Sequence, residues 1–478
     1  MSDKKAISIY KSLQSIQFRS LWTDVKEAIA GSDRDFTSDS IGKALLILSI
    51  PMVLEMIMES IFAVVDIFFV SRLGANAVAT VGITESSMTI VYAFGMGLST
   101  ATTALVARRI GEKKAGKAGI VAFQAIIAGL CVSILIAIPG IIYAKDFLLL
   151  MGASKEMAEA GYLFPAIMFG GNAVIMLLFI INAIFRSSGD AAVSMRVLIM
   201  ANLINIILDP LLIFGIGPFP ELGLKGAAVA TTTGRGLAVC YQFYLLFYGN
   251  KRIRLELHHL TIKLKVMFQL FKLGAGGILQ YIIATSSWIA LYRIIAVLGS
   301  EVMAGYTISI RILVFVLLPS WGLSNAASTL VGQNLGANQP KRAERTVWIT
   351  AFANMILLGS VGMILIIFPE TFIRLFINDP GVIINGSISL RIVSFGFVSY
   401  ALGMVMTQAF NGSGDTSTPT WINLFCFWLF EIPLAYFLAI VLDMKIQGIS
   451  ISIVAAETAL TITAWYFFRK GNWKKIML

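Results

Sequence analysis

The sequence predicts an all-α membrane protein, with twelve transmembrane helices in two pseudo-symmetric six-helix lobes. Three observations predict it. Hydrophobic residues make up 58% of the chain and charged residues 13%, with a mean hydropathy of +0.84; a soluble domain carries about 25% charged residues. The apolar residues gather in twelve runs, each near the roughly 20 residues that cross the hydrocarbon. The second half of the chain repeats motifs of the first at one constant offset.

The polar stretch 1–42 has no apolar run after its early lysines, so it does not read as a signal peptide. Within it Phe18, Leu21, Trp22, Val25 and Ile29 share one helical face, ended by Gly31-Ser32. Such a helix lies on the membrane surface or packs on the cytoplasmic face of the protein. The predicted spans fall near 43–71, 77–107, 119–144, 160–186, 193–217 and 224–248, then 268–297, 302–333, 345–369, 385–411, 420–442 and 446–468. The connections are short and leave no room for an inserted soluble domain. The chain divides into an N-terminal segment 1–42, an N-lobe 43–250, a basic linker 251–267 and a C-lobe with a short tail, 268–478.

Basic residues orient the bundle. Arg108, Arg109, Lys113, Lys114 and Lys117 share one side with the 251–265 loop, with Lys341, Arg342 and Arg345, and with both tails. That side is expected to be cytoplasmic, in a plasma (bacterial inner) membrane, with both termini inside. Such loops account for the net charge of +11 without nucleic acid. Cys131, Cys240 and Cys426 lie in apolar runs without paired spacing and read as small packing residues. His258 and His259 read as solvated loop residues.

The repeat is seen in 101–111 against 326–336, an offset of 225 (326 − 101). The same offset carries Phe185-Arg-Ser-Ser-Gly-Asp190 onto Phe410-Asn-Gly-Ser-Gly-Asp415, and Leu73-Gly74 onto Leu298-Gly299. Six helices per half keep the copies in the same orientation, related by an axis along the membrane normal with a cavity between them. That is the geometry of alternating access.

The first span holds acids. Pro51, Glu55, Glu59 and Asp66 form one stripe at about 100° per residue. A charge at the bilayer centre costs about 2.5–3.5 kcal/mol, so these acids should face protein or a water-filled cavity. The offset carries the stripe onto Gly276, Gln280, Ala284 and Leu291. Scaffolding shared by both halves would not need acids in one half alone; ion coupling in the N-half would. In the fifth span Asn202, Asn205 and Asp209 share a face, and Pro210 frees a carbonyl one turn back. Asp66 and Asp209 are expected about six and eight residues from the outer ends of their helices, about 9 and 12 Å deep. Two acids, an amide and hydroxyls suit Na⁺ or a shared proton.

These residues resemble the multidrug and toxic compound extrusion (MATE) family of secondary transporters. The resemblance rests on Leu48-Ser-Ile-Pro51, on Val65-Asp-Ile-Phe-Phe-Val70 followed by Leu73-Gly74, and on the Ser-Gly-Asp motifs at 188–190 and 413–415. Asn205-x-x-x-Asp209-Pro210, Gly226-Ala-Ala-Val-Ala-Thr231 and Ile432-Pro-Leu-Ala-Tyr436 add to it. It covers about 40–470. It implies export of organic cations in exchange for Na⁺ or H⁺, coupled at Asp66, Asn182, Asn205, Asp209 and Thr231, with a helix bend at Pro51. Thr232 and Thr233 leave the threonine's register open. If Na⁺ couples, its ligands are Asp66, Asn205 and Asp209. The seventh span has no acid, which places the chain with the N-lobe-coupled branch. Glu55, Glu59, Met56 and Gln280 are candidate lining of a substrate cavity, while Glu431 and Glu457 receive no role.

The expected partners are small amphipathic cations and the lipid bilayer, with no nucleic acid, and the expected state is a monomer. No cofactor is expected beyond the coupling ion. The alternative is a flippase for a lipid-linked precursor, for which Arg235, Arg293, Arg311 and Arg391 would supply positive charge. No hydrolytic or metal-ligand constellation lies in the spans, so an enzyme is not expected.

Overall fold

The computed structural model describes residues 22–32, 34–249 and 252–478, and within these every element is helical. Long helices follow the predicted spans closely. In the first half they are α1 Ile41–Val70, α2 Ala75–Gly111, α3 Ala115–Ile142, α4 Leu163–Ser188, α5 Ala191–Phe214 and α6 Leu224–Tyr248. In the second they are α7 Leu264–Ala296, α8 Ser300–Gly336, α9 Pro340–Ile367, α10 from Pro380 to Ser413, α11 Ser417–Val441 and α12 Lys445–Lys470. Among the described residues nine of these are long and apolar enough to cross a membrane, and α10, bent by 56°, makes a tenth. Helices α1 and α6, 30 and 25 residues long, complete the set by length and by their place in the bundle.

The internal repeat is visible in the backbone. Helices α2 and α3 begin and end 225 residues before α8 and α9. Two breaks within spans also match: α4 is interrupted at Gly171 and α10 at Gly396. Left-handed backbone recurs at Gly74 (φ +100°) and Gly299 (φ +107°), and at Gly189 (φ +104°) and Gly414 (φ +92°). These two glycine pairs belong to the very motifs that reveal the repeat in the sequence. Left-handed φ is cheap for glycine alone, so the turns that separate the helices carry the readable signature.

The last helices depart from this register. The glycine seated against the preceding helix is Gly226 in α6 and Gly448 in α12, an offset of 222 (448 − 226). Buried positions along α6 and α12 coincide at that spacing. The three-residue shift lies in the connection between the last two helices, which runs over 215–223 in the first half and only 442–444 in the second. Helix α11 itself winds as a π-helix over Leu424–Glu431 and Phe437–Val441.

The lobes meet along α1 with α8 and along α2 with α7. At the face that carries both tails they are drawn together. Gly111 and Gly336, the last residues of α2 and α8, lie against each other's helix, where a Cβ on Gly336 would crowd the backbone of Arg108 and one on Gly111 that of Gln333. Gln333 donates to the Ser187 carbonyl at 2.8 Å. Arg108 and Arg109 donate to the carbonyls of Ile476 and Leu478 at 2.8 and 2.9 Å, tying the C-terminal tail across to the first half.

The amphipathic N-terminal segment packs on this same face. Residues 22–30 are helical, Ala28 and Phe36 are buried, and Arg196 donates to the Ile29 carbonyl at 2.9 Å. Arg342 of α9 donates to the Phe36 carbonyl at 3.1 Å and also to that of Asp39. The structure thus packs this segment on protein, although Trp22 and Ile29 remain exposed. Phe18 and Leu21 of the predicted stripe lie outside the described residues.

Candidate functional site: the acid cluster of the first half

Helix α1 runs unbroken through Pro51, and its acid stripe faces the neighbouring helices of its own lobe. Each acid meets a different environment. Glu55 is buried and accepts from Arg186 at 2.7 Å and from Asn182 at 3.2 Å. Glu59 pairs with Arg235 of α6 at 3.2 Å. The Arg235 guanidinium also lies 4.5 Å from the Phe62 ring, in cation–π contact.

Glu85 of α2 belongs to the same group, with Tyr92 donating to it at 3.2 Å. Arg235 stands between Glu59, Glu85 and Tyr92 as their shared electrostatic neighbour. The sequence reading passed over Glu85, because it follows one stripe on one helix. Its signal is the same as that of Asp66: a lone acid in an apolar span.

Asp66 and Asp209 form the remaining pair. They are electrostatic neighbours, and Asp66 lies beside the Thr231 hydroxyl. Asn205 donates through Nδ2 to Asp209 Oδ1 and to Thr231 Oγ1, both at 3.2 Å. Thr231 is buried in this group, while Thr232 is half-buried and Thr233 exposed. Two oxygens here are buried without a donor: Asn205 Oδ1 and Asp209 Oδ2. Buried acceptors normally find a partner. Acceptors converging on two carboxylates suit a bound monovalent cation or an added proton.

Charge bookkeeping isolates the same pair. Five acids (Glu55, Glu59, Asp66, Glu85, Asp209) lie in this group, and the arginines that pair with them are Arg186 and Arg235. Arg108, Arg109 and Arg196 of the same helices donate to carbonyls at the tail-bearing face. Arg186 is taken by Glu55, and Arg235 by Glu59 and Glu85. Asp66 and Asp209 make no ion pair with a described residue; Arg235 is a more distant electrostatic neighbour of Asp66, and Asp209 has no such neighbour.

Some expected residues stand elsewhere. Asn182 does not bond to the Asp66–Asp209 pair; it sits beside Glu55 and accepts from Gln242 at 2.7 Å. Glu55 lies eleven residues before Asp66 on α1, about 16 Å along the axis. Glu55 is enclosed in its ion pair, and Met56 is half-buried. Gln280 of α7 exchanges hydrogen bonds with Asn411 at 3.1 and 3.2 Å and donates to the Thr416 carbonyl at 3.0 Å. Pro51 is buried. Asp66 and Asp209 lie four and five residues from the ends of their helices, nearer those ends than the sequence suggests. The reason is that α1 tightens into a 3₁₀ turn at Ser71–Leu73 and α5 stops at left-handed Gly215. Their depths remain matched.

Comparison with known proteins agrees with this architecture. The MatE family model matches twice, over residues 51–211 and 277–437. The "Probable multidrug resistance protein YoeA" of Bacillus subtilis is 24% identical, over 91% of this chain and 95% of its own length. The "Probable multidrug resistance protein NorM" of Thermotoga maritima is 25% identical over 91% and 94%. An "FAD transporter" of Shewanella oneidensis is 24% identical over 91% and 95%. Among solved structures, a MOP superfamily transporter from Pyrococcus furiosus superposes with a TM-score of 0.86 at 22% identity, covering 92% of this chain and 98% of the other. The outward-facing conformation of a multidrug resistance MATE family transporter gives 0.85 at 23%, over 92% and 98%.

Proposed function

Because the chain belongs to the MatE family of multidrug efflux transporters, we propose that it is a secondary active antiporter exporting organic cations in exchange for Na⁺ or H⁺. The observation that carries this reading is the Asp66–Asp209 pair, two acids that make no ion pair with a described residue, with Asp209 Oδ2 and Asn205 Oδ1 buried and without a donor. A proton there neutralises a carboxylate and gives the Asn205 Oδ1 acceptor a donor, and a Na⁺ would neutralise it and be coordinated by the same oxygen. Among the described residues no three His, Cys, Asp or Glu side chains gather as a metal site. A Na⁺ would therefore be held by Asp66 and Asp209 together with the Asn205 and Thr231 oxygens.

The tail-bearing face is the cytoplasmic one in this reading, as its basic residues suggest. It is closed by the α2–α8 crossing and both tails. Ion entry then comes from the opposite side, at the ends of α1 and α5 near Asp66 and Asp209. Binding there competes with the positive charge of the substrate, and Pro51 supplies the weak point at which α1 can bend. Inward ion movement is worth about 2.3 kcal/mol per charge per 100 mV. A flippase for anionic headgroups is less well supported, because Arg235 is already committed to Glu59 and Glu85.

The test is efflux of ethidium from proteoliposomes under imposed Na⁺ or H⁺ gradients. Wild-type protein should drive efflux under one of them and Asp66→Asn should not. Full gradient-driven efflux by Asp66→Asn would overturn the coupling site.

A further inference from the structure

The second half has its own unexplained acids. Glu431 of α11 is 5% exposed, and Glu457 of α12 is half-buried. Both line a cavity enclosed by α7, α8, α10, α11 and α12. Neither carboxylate accepts a hydrogen bond from a described residue, whereas the deep acids Glu55 and Glu59 of the first half each have an arginine. The cavity lining contains no Lys, Arg or His. The arginines Arg293, Arg311 and Arg391 of the surrounding helices are all exposed.

The repeat sharpens the contrast. At the spacing that carries Gly226 onto Gly448, Arg235 falls on Glu457 (457 − 235 = 222). The second half thus has an acid where the first has the cation that neutralises its glutamates. A second, independent feature is the winding of α11. Its π-helical stretch Leu424–Glu431 ends on Glu431, and such segments occur frequently at functional sites.

Two carboxylates without a countercharge are costly in an apolar enclosure. The rest of the wall narrows what could compensate them. Trp288, Tyr306, Phe397, Tyr400 and Phe427 face the same space. A hard inorganic cation prefers a shell of oxygens, whereas aromatic walls with an acid suit an organic ammonium. The cavity volume is ≈ 40 Å³; one water needs about 10–15 Å³ on that measure. This is room for a headgroup rather than a polycyclic dye.

We propose that the cavity between α7, α8, α10, α11 and α12 binds a compact organic ammonium group, held by Glu431 and Glu457 against its aromatic wall. The proposal rests on the efflux reading only for its use in transport; binding itself is independent of coupling at Asp66. The probe is labelled tetramethylammonium, measured by equilibrium dialysis against the purified full-length protein in detergent. Wild-type protein should bind it saturably. Glu431→Gln and Glu457→Gln should each weaken binding by at least about tenfold, and Glu431→Asp should retain it. Trp288→Leu should weaken binding as well, and it decides the matter if the glutamine variants aggregate on gel filtration. Absence of saturable binding to wild type would overturn the proposal, as would unchanged binding by well-folded glutamine variants. Loss in Asp66→Asn rather than in Glu431→Gln would place the probe in the first half and also overturn it. Displacement by Na⁺ together with no effect of Trp288→Leu would make it an inorganic cation site, which again contradicts the proposal. Gradient-driven ethidium efflux without tetramethylammonium binding would sink this site and leave the antiport reading intact; binding without efflux would do the reverse.

Discussion

The two halves share a backbone plan and treat charge in opposite ways. In the first half Glu55 of α1 is locked to Arg186 of α4 at 2.7 Å. The offset of 225 carries these residues onto Gln280 and Asn411, which hydrogen-bond to each other at 3.1 Å. One geometric slot therefore holds an ion pair in one lobe and a neutral amide pair in the other. On α6 and α12 the inversion goes further, from Arg235 to Glu457. A buried ion pair is weak evidence for stability, because desolvation offsets the Coulomb gain. The amide pair in the second half shows that packing of this slot does not require charge, so the charges of the first half serve something other than scaffolding.

The largest expected effect belongs to Asp66→Asn, which should abolish gradient-driven ethidium efflux while leaving the protein folded. Next comes the slot itself. Arg186→Asn strands a buried Glu55 carboxylate and should destabilise by about 3–5 kcal/mol, measured by thermal unfolding in detergent. The double substitution Glu55→Gln with Arg186→Asn rebuilds the pair found in the second half and should recover most of that loss. If the double variant is as unstable as the single one, the slots are not equivalent.

Smaller and opposite in sign is Glu431→Leu. It replaces an unpartnered buried carboxyl with an apolar side chain and should raise stability by about 1–3 kcal/mol, read on the same thermal scale. A clear fall in stability would mean that Glu431 has a partner in the folded protein.

The smallest effect lies outside the spans. Glu112, just beyond α2, is held below its ordinary value of 4.5: burial pushes it up, but hydrogen bonds from Lys114 and Arg109 outweigh this. A carboxylate with a depressed pKa contributes stability that is fully present above 4.5 and lost as pH falls through its lower folded value. Glu112→Gln should therefore lower stability slightly at neutral pH and make no difference in strong acid. Equal effects at both pH values would contradict the ion-pair role.

Much of the fold was legible because its determinants are local. Apolar runs mark the spans, and glycines at left-handed turns mark their ends. Pro51 and the stripe of Glu55, Glu59 and Asp66 were visible from periodicity along a single helix. Glu85 was equally readable as a lone intramembrane acid, but reading one stripe at a time excluded it. The breaks at Gly171 and Gly396 were not foreseen, since a glycine inside an apolar run does not announce a bend. The three-residue slip that sets Glu457 against Arg235 was hidden too, because it arises in the connection before the last helix, 215–223 in one half and 442–444 in the other, where no motif marks the register.

By itself the sequence determined the class of molecule, the two-fold plan and the confinement of an acidic stripe to the first half. Each follows from composition, periodicity or spacing along one chain. Only the tertiary structure decided which charge meets which. It gave Glu55 to Arg186, shared Arg235 between Glu59 and Glu85, set Asn182 beside Glu55, and left Asp66 with Asp209. Pairing depends on how neighbouring helices are rotated and shifted against each other. A single turn of helix, about 5.4 Å, is enough to exchange one partner for another.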